Sequence, residues 1–347
     1  MMNKKRVIGL ALTYVGAVVG AGFSSGREIW RFFARHSGSG IYGIGIVMIF
    51  FIILAPLFFR LSKKCDIENY HCFFYKYLPK PFSYFFDFVY SCFLLGSVSV
   101  MLAGSGEVFY NLLGIPYILG VIITILFILL TLILSREGIL IVNTILIPIL
   151  TIITIYTIIT YILYPLELPI KEVFGDKLNS LKINSLKDSL LYGSYNLVMA
   201  IAVMTNIVYK EEDENITSAG VLGGIILSLL LIIIFIGLTT AFPEGPKEEI
   251  PLLYLARRVG KGIYLLYIIA LYFAMVTTAI TNYYAFTKRF ISLFKLKYEL
   301  GLIIGLIFIL PLVPSGFSNL IDRLYPLFGY LGMSIILFYI ILLIKKF

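Results

Sequence analysis

The run Thr13-Tyr-Val-Gly-Ala-Val-Val-Gly-Ala-Gly-Phe-Ser-Ser-Gly-Arg-Glu28 sets Gly16, Gly20, Gly22 and Gly26, with Ser24 and Ser25, inside an otherwise apolar stretch. Glycine costs about 1 kcal/mol against alanine within a helix, so such a cluster weakens helical continuity. Where a helix unwinds, freed carbonyls can hold a cation, and the start of the next half-helix can hold an anion. Small residues four apart also suit close helix packing, and both readings stand. A second run, Leu191-Tyr-Gly-Ser-Tyr-Asn-Leu-Val-Met-Ala-Ile-Ala-Val-Met-Thr-Asn206, carries Tyr195 and Asn196 deep in an apolar segment. Polar groups there need a partner or a wet cavity; a hydrogen bond that only joins helices would serve equally. A third, Ala274-Met-Val-Thr-Thr-Ala-Ile-Thr-Asn282, offers the adjacent hydroxyls of Thr277 and Thr278. They can ligate a hard cation, or bond back to carbonyls of their own helix.

The elements that must position these groups follow from composition. Of 347 residues, 60% are hydrophobic and 14% charged, with mean hydropathy +0.98. Soluble domains carry about 25% charged residues. Apolar runs such as 41–61, 115–134 and 139–163 recur along the chain. Each suffices to cross a hydrocarbon core of roughly 30 Å at about 1.5 Å per residue. In lipid only helices or closed barrels satisfy every backbone group, and these runs lack a barrel's alternation. The basic start leads into the glycine-rich segment without a small-residue cleavage site, so it is expected to be the first membrane helix.

Ten spans are expected, at about 5–34, 41–62, 83–112, 115–135, 138–164, 188–210, 216–241, 263–292, 299–314 and 318–345. A polar outer segment, 166–187, separates spans five and six; another, 242–262, is expected to form short helices over one face. Ten spans divide as 1–165 and 188–347, and five per half forces the second half in from the opposite side. That is an inverted repeat, whose solute site lies at mid-depth on broken helices. Lys and Arg concentrate in Lys4–Arg6, Arg60, Lys63, Lys64, Lys76, Lys80, Arg136 and the segments around Lys210, Lys288 and Lys345. This bias places both termini in the cytoplasm and the chain in the plasma membrane. The net charge of +9 then needs no nucleic acid to explain it. Cys65, Cys72 and Cys92 are expected as reduced thiols, since a metal set around His71 would need more ligands.

In this setting, Gly16-Ala-Val-Val-Gly-Ala-Gly-Phe23 resembles the first-helix motif of LeuT-fold transporters, including neurotransmitter:sodium symporters and the amino acid–polyamine–organocation superfamily. The continuation Phe-Ser-Ser-Gly-Arg-Glu-Ile resembles the YkvI-like membrane proteins of that superfamily. The resemblance covers the ten-span order, with local motifs in spans one, six and eight. It implies an all-α, LeuT-like polytopic fold with helices one and six broken. It also implies a sodium ion among the carbonyls of Gly16, Val19 and Ala274 and the hydroxyls of Thr277 and Thr278. The amides of Ala21 and Gly22, beside Gly20, would face a solute's carboxylate, with Tyr195, Asn196 and Met199 on the span-six side. Phe23 replaces the asparagine of the family's other sodium site, and span five holds no lysine, so coupling to one sodium is expected. An outer gate would pair Arg27 with Asp322, Glu28 being a second candidate partner.

The function expected is sodium-driven symport of a small zwitterion, such as an amino acid, by alternating access. Alternatives keep the fold with a betaine, nucleobase or other organic solute, or couple it to protons, for which Glu107 is a candidate. A channel or non-transporting receptor is the alternative class, though no filter-like repeat is present. With two histidines and no nucleophile–His–acid set, the chain is expected not to be an enzyme and to need no cofactor beyond the coupling ion.

Overall fold

The computed structural model describes residues 4–65, 67, 75–134, 139–163, 183–209, 211–241 and 244–346. The expected outer segment at 166–187, apart from its last residues, lies outside them, as do His71, Cys72 and Arg136. Cys65 is buried and Cys92 exposed, and both are free thiols.

Every regular element among the described residues is helical. The first expected span is divided into α1 (Lys4–Val18), α2 (Ala21–Ser24) and α3 (Arg27–Phe32), followed by a 3-10 turn, Ala34–Ser39. The second comprises α4 (Gly40–Ile49), a π turn at Phe50–Leu54, and α5 (Ala55–Lys64). The chain continues through α6 (Lys80–Leu113), α7 (Tyr117–Leu134), α8 (Ile139–Leu163), α9 (Ile183–Val208) and α10 (Asp213–Thr240). It ends with α11 (Pro251–Val259), α12 (Lys261–Phe294), α13 (Tyr298–Ile309) and α14 (Phe317–Lys346). Among the described residues, six helical segments are long and apolar enough to cross a membrane, and two shorter apolar ones lie within α7 and α8. This is a membrane protein.

One expectation is corrected here. The sixth span was expected to be broken like the first, but α9 runs uninterrupted from Ile183 to Val208. Two of its polar side chains bond to their own helix: Ser194 Oγ donates to the Leu190 carbonyl at 2.6 Å, and Asn196 Nδ2 to that of Tyr192 at 3.0 Å. Such back-bonding leaves the ladder intact. Gly193 is small because the Phe50 ring lies over it.

Packing separates the helices into two groups. α1, α4, α5, α9 and α10 pack on one another, while α6, α7, α12 and α13 form a second set. The groups meet chiefly through α8, which packs on α12 and α10, and α14, which packs on α9 and α6. Small residues bring the first group close, as expected without a hydrophobic drive between helices in lipid. A Cβ on Gly223 would meet the Tyr14 ring, and one on Gly224 the Phe51 backbone. At the π turn, the Tyr14 hydroxyl donates to the Phe51 carbonyl at 3.2 Å, tying α1 to the second span.

Candidate functional site: a cavity at the broken first helix

The first break lies between α1 and α2. Val19 N–H still reaches the Val15 carbonyl at 2.8 Å, but Gly20 N–H turns to Val18 at 2.9 Å. The Gly16 carbonyl thereby loses the amide that a continuing helix would bring to it. A Cβ on Gly20 would meet open space. The second break is closed by protein groups. Gly26 sits at φ 80°, a left-handed conformation that favours glycine. Ser25 Oγ donates to the Gly22 carbonyl at 2.8 Å, Gly26 N–H to Phe23 at 3.1 Å, and Leu252 N–H to Ser25 at 3.0 Å. The Tyr267 hydroxyl donates to the Ser24 carbonyl.

The first break opens on a cavity of about 220 Å³, walled by α1–α3, α6, α8, α9, α12 and α14. It lies along the seam between the two helix groups. Of the solute-site residues expected from sequence, Gly20, Gly22, Tyr195, Asn196 and Met199 line it, and Ala21 contributes backbone to α2. Of the sodium set, Gly16 and Thr278 line it, whereas Val19, Ala274 and Thr277 are buried. Thr277 Oγ1 donates to the carbonyls of Phe273 (2.9 Å) and Ala274 (3.2 Å), leaving its oxygen lone pairs as possible acceptors or ligands.

α3 sends its charges two ways. Arg27 Nη2 pairs with Asp322 Oδ2 at 2.7 Å, joining α3 to α14. Arg31 reaches Asp188 at 3.0 Å and Asp322 at 3.7 Å. Asp188 Oδ2 also takes Arg35 Nη2 at 2.5 Å and His36 Nε2 at 2.9 Å. Glu28 points instead into the cavity, 4% exposed, and accepts the Tyr195 hydroxyl on Oε2 at 2.5 Å. A Cβ on Gly22 would fall on Glu28 Oε1. The place expected for a solute's carboxylate therefore lies against the protein's own carboxyl. At the other end of the cavity, rim residues Leu12 and Val203 are 41% and 38% exposed.

Sequence reasoning treated Glu28 only as a gate partner, although an acid within an apolar span is by itself a functional signal. It also missed Tyr325, Phe93 and the pair Asn282–Ser97, in which Asn282 Nδ2 donates to Ser97 Oγ at 2.8 Å. No local pattern marks two neutral polar residues 185 positions apart as partners. Among the described residues, no cluster of three His, Cys, Asp or Glu side chains could hold a metal ion.

No protein-family model matches the chain. It is 29% identical to the Bacillus subtilis (strain 168) protein named "Uncharacterized membrane protein YkvI", over 94% of this chain and 93% of the relative. It is 23% identical to YyaD of the same organism, with the same coverage. Among solved structures, it superposes on the Eremococcus coleocola manganese transporter bound to an aromatic bis-isothiourea compound. That match has a TM-score of 0.61 at 14% identity, covering 97% of this chain and 78% of that one. It also superposes on Mhp1, a nucleobase-cation-symport-1 family transporter, closed with bromovinylhydantoin bound. Here the TM-score is 0.62 at 15% identity, covering 92% and 74%. The chain thus shares the LeuT-like fold of these secondary transporters and is similar to YkvI.

Proposed function

We propose that this chain is a secondary active transporter that carries a small organic solute by alternating access. The supporting observation is the cavity at the first-helix break, set on the seam between two helix groups. A seam between bodies that pack within themselves can open on either side in turn. The Arg27–Asp322 pair would be the gate on one side, and the exposed rim at Leu12 and Val203 the open side. With both termini in the cytoplasm, this is an inward-open arrangement in the plasma membrane. Residues 1–165 and 188–347 would be the two halves of a 5+5 inverted repeat.

Sodium is the proposed coupling ion, held by the Gly16 carbonyl and Thr278 at the cavity wall, with Val19, Ala274 and Thr277 behind them. The solute proposed is amino-bearing, an amino acid being the zwitterionic class suggested by the first-helix glycines. Purified protein in liposomes, given labelled amino acids and small amines under an inward sodium gradient, tests this. Saturable uptake showing counterflow, and collapsing when potassium replaces sodium, is expected. Flux that neither saturates nor exchanges would mean a channel and sink the proposal.

A further inference from the structure

Glu28 is the acidic side chain of the cavity wall, and the wall contains no Lys, Arg or His among the described residues. Its carboxyl accepts one hydrogen bond, from Tyr195, and forms no ion pair with a described residue. The cations nearest in sequence, Arg27 and Arg31, are turned to Asp322 and Asp188. A carboxylate withdrawn from water is costly unless a positive charge stands beside it. Here the protein supplies a hydroxyl but no such charge.

The surroundings suit a cation. Phe93, Tyr195 and Tyr325 present rings to the same space, with the Tyr195 and Tyr325 centroids 5.2 Å apart. Aromatic faces attract ammonium groups, most strongly where water is excluded. The remaining polar wall, including Ser97, Asn196 and Asn282, is neutral. A carboxylate on the solute would meet no basic side chain, and beside Gly22 it would meet Glu28.

We propose that the cavity selects its solute by positive charge: Glu28 is the counter-ion for an ammonium group, the tyrosine and phenylalanine rings enclose it, and no solute carboxylate is required. The preferred solute is then a small organic monocation in place of a zwitterion. This rests on the carrier reading of the cavity and narrows its substrate class.

The test is ligand binding to the purified full-length protein, which needs no transport. Thermal stabilisation and calorimetry are run with butylamine, choline, 4-aminobutyrate and butyrate, probes of similar size and different charge. Butylamine or choline should bind, 4-aminobutyrate more weakly, and butyrate not measurably. Glu28→Gln, which keeps shape and removes charge, should weaken amine binding about tenfold or more. Tyr195→Phe, which keeps the ring and removes one hydrogen bond, should weaken it less. Size-exclusion profile and melting temperature in detergent report whether each variant is folded. If Glu28→Gln proves unfolded, the charge order of the four probes on the unaltered protein decides. The inference is overturned if no amine binds, if butyrate or 4-aminobutyrate binds as tightly as butylamine, or if folded Glu28→Gln binds amine unchanged. Charge-selective binding without flux would instead sink the carrier reading alone.

Discussion

Two of the segments that bring polar residues to the cavity differ in backbone. The first is cut twice, into α1, α2 and α3; the other, α9, is whole. Both bring side-chain hydroxyls or amides to mid-span. Only the first brings a cluster of glycines, one of them at positive φ. In α9 the hydroxyl of Ser194 and the amide of Asn196 donate to carbonyls of the helix they stand on, and the helix continues past them. Polar side chains by themselves therefore do not unwind a membrane helix; loss of Cβ constraint and a left-handed turn do. Of these two segments, only the first frees a backbone carbonyl at the cavity, that of Gly16, while α9 contributes side chains.

The largest effect expected from breaking this asymmetry is at Gly22. Gly22→Leu should abolish solute uptake in liposomes, because its side chain must displace the Glu28 carboxyl. Normal kinetics would mean the glycine serves packing only. Gly26→Ala should lower unfolding free energy by about 1–3 kcal/mol, since alanine is strained in the left-handed region. The new Cβ would also press on Leu252. Chemical denaturation in detergent measures this, and an unchanged midpoint would count against the second break as built. Thr277→Ala combined with Thr278→Ala should leave the fold intact and remove the difference between sodium and potassium in a thermal-shift assay. A retained difference would move the ion elsewhere. The smallest effect is expected on the intact side. Asn196→Ala removes one side-chain bond and should cost about 1 kcal/mol. Helix content by circular dichroism should stay constant.

Much of the fold was legible because hydropathy acts segment by segment. The apolar runs required membrane helices, and the glycine cluster marked the segment that breaks. The π turn between α4 and α5, which frees a carbonyl for Tyr14, has no comparable signature. At the site, Tyr195, Asn196, Gly20 and Gly22 were identifiable because each is conspicuous within its own span. Arg27 and Asp322, 295 positions apart, were matched only through the LeuT-fold resemblance, and they stand 2.7 Å from each other. Asp188, which gathers Arg31, Arg35 and His36, was not identified at all, because its partners belong to another span.

By itself the sequence determined the solvent this chain folds in, its helical class and the place where its first helix gives way. These depend on transfer free energy and backbone freedom, properties that neighbouring residues settle among themselves. Only the tertiary structure decided that Glu28 turns inward to Tyr195 while Arg27 turns to Asp322, and that α9 stays whole. Those outcomes depend on which helix lies across from each side chain, and a polar group withdrawn from water takes its partner from there, however far away in the chain.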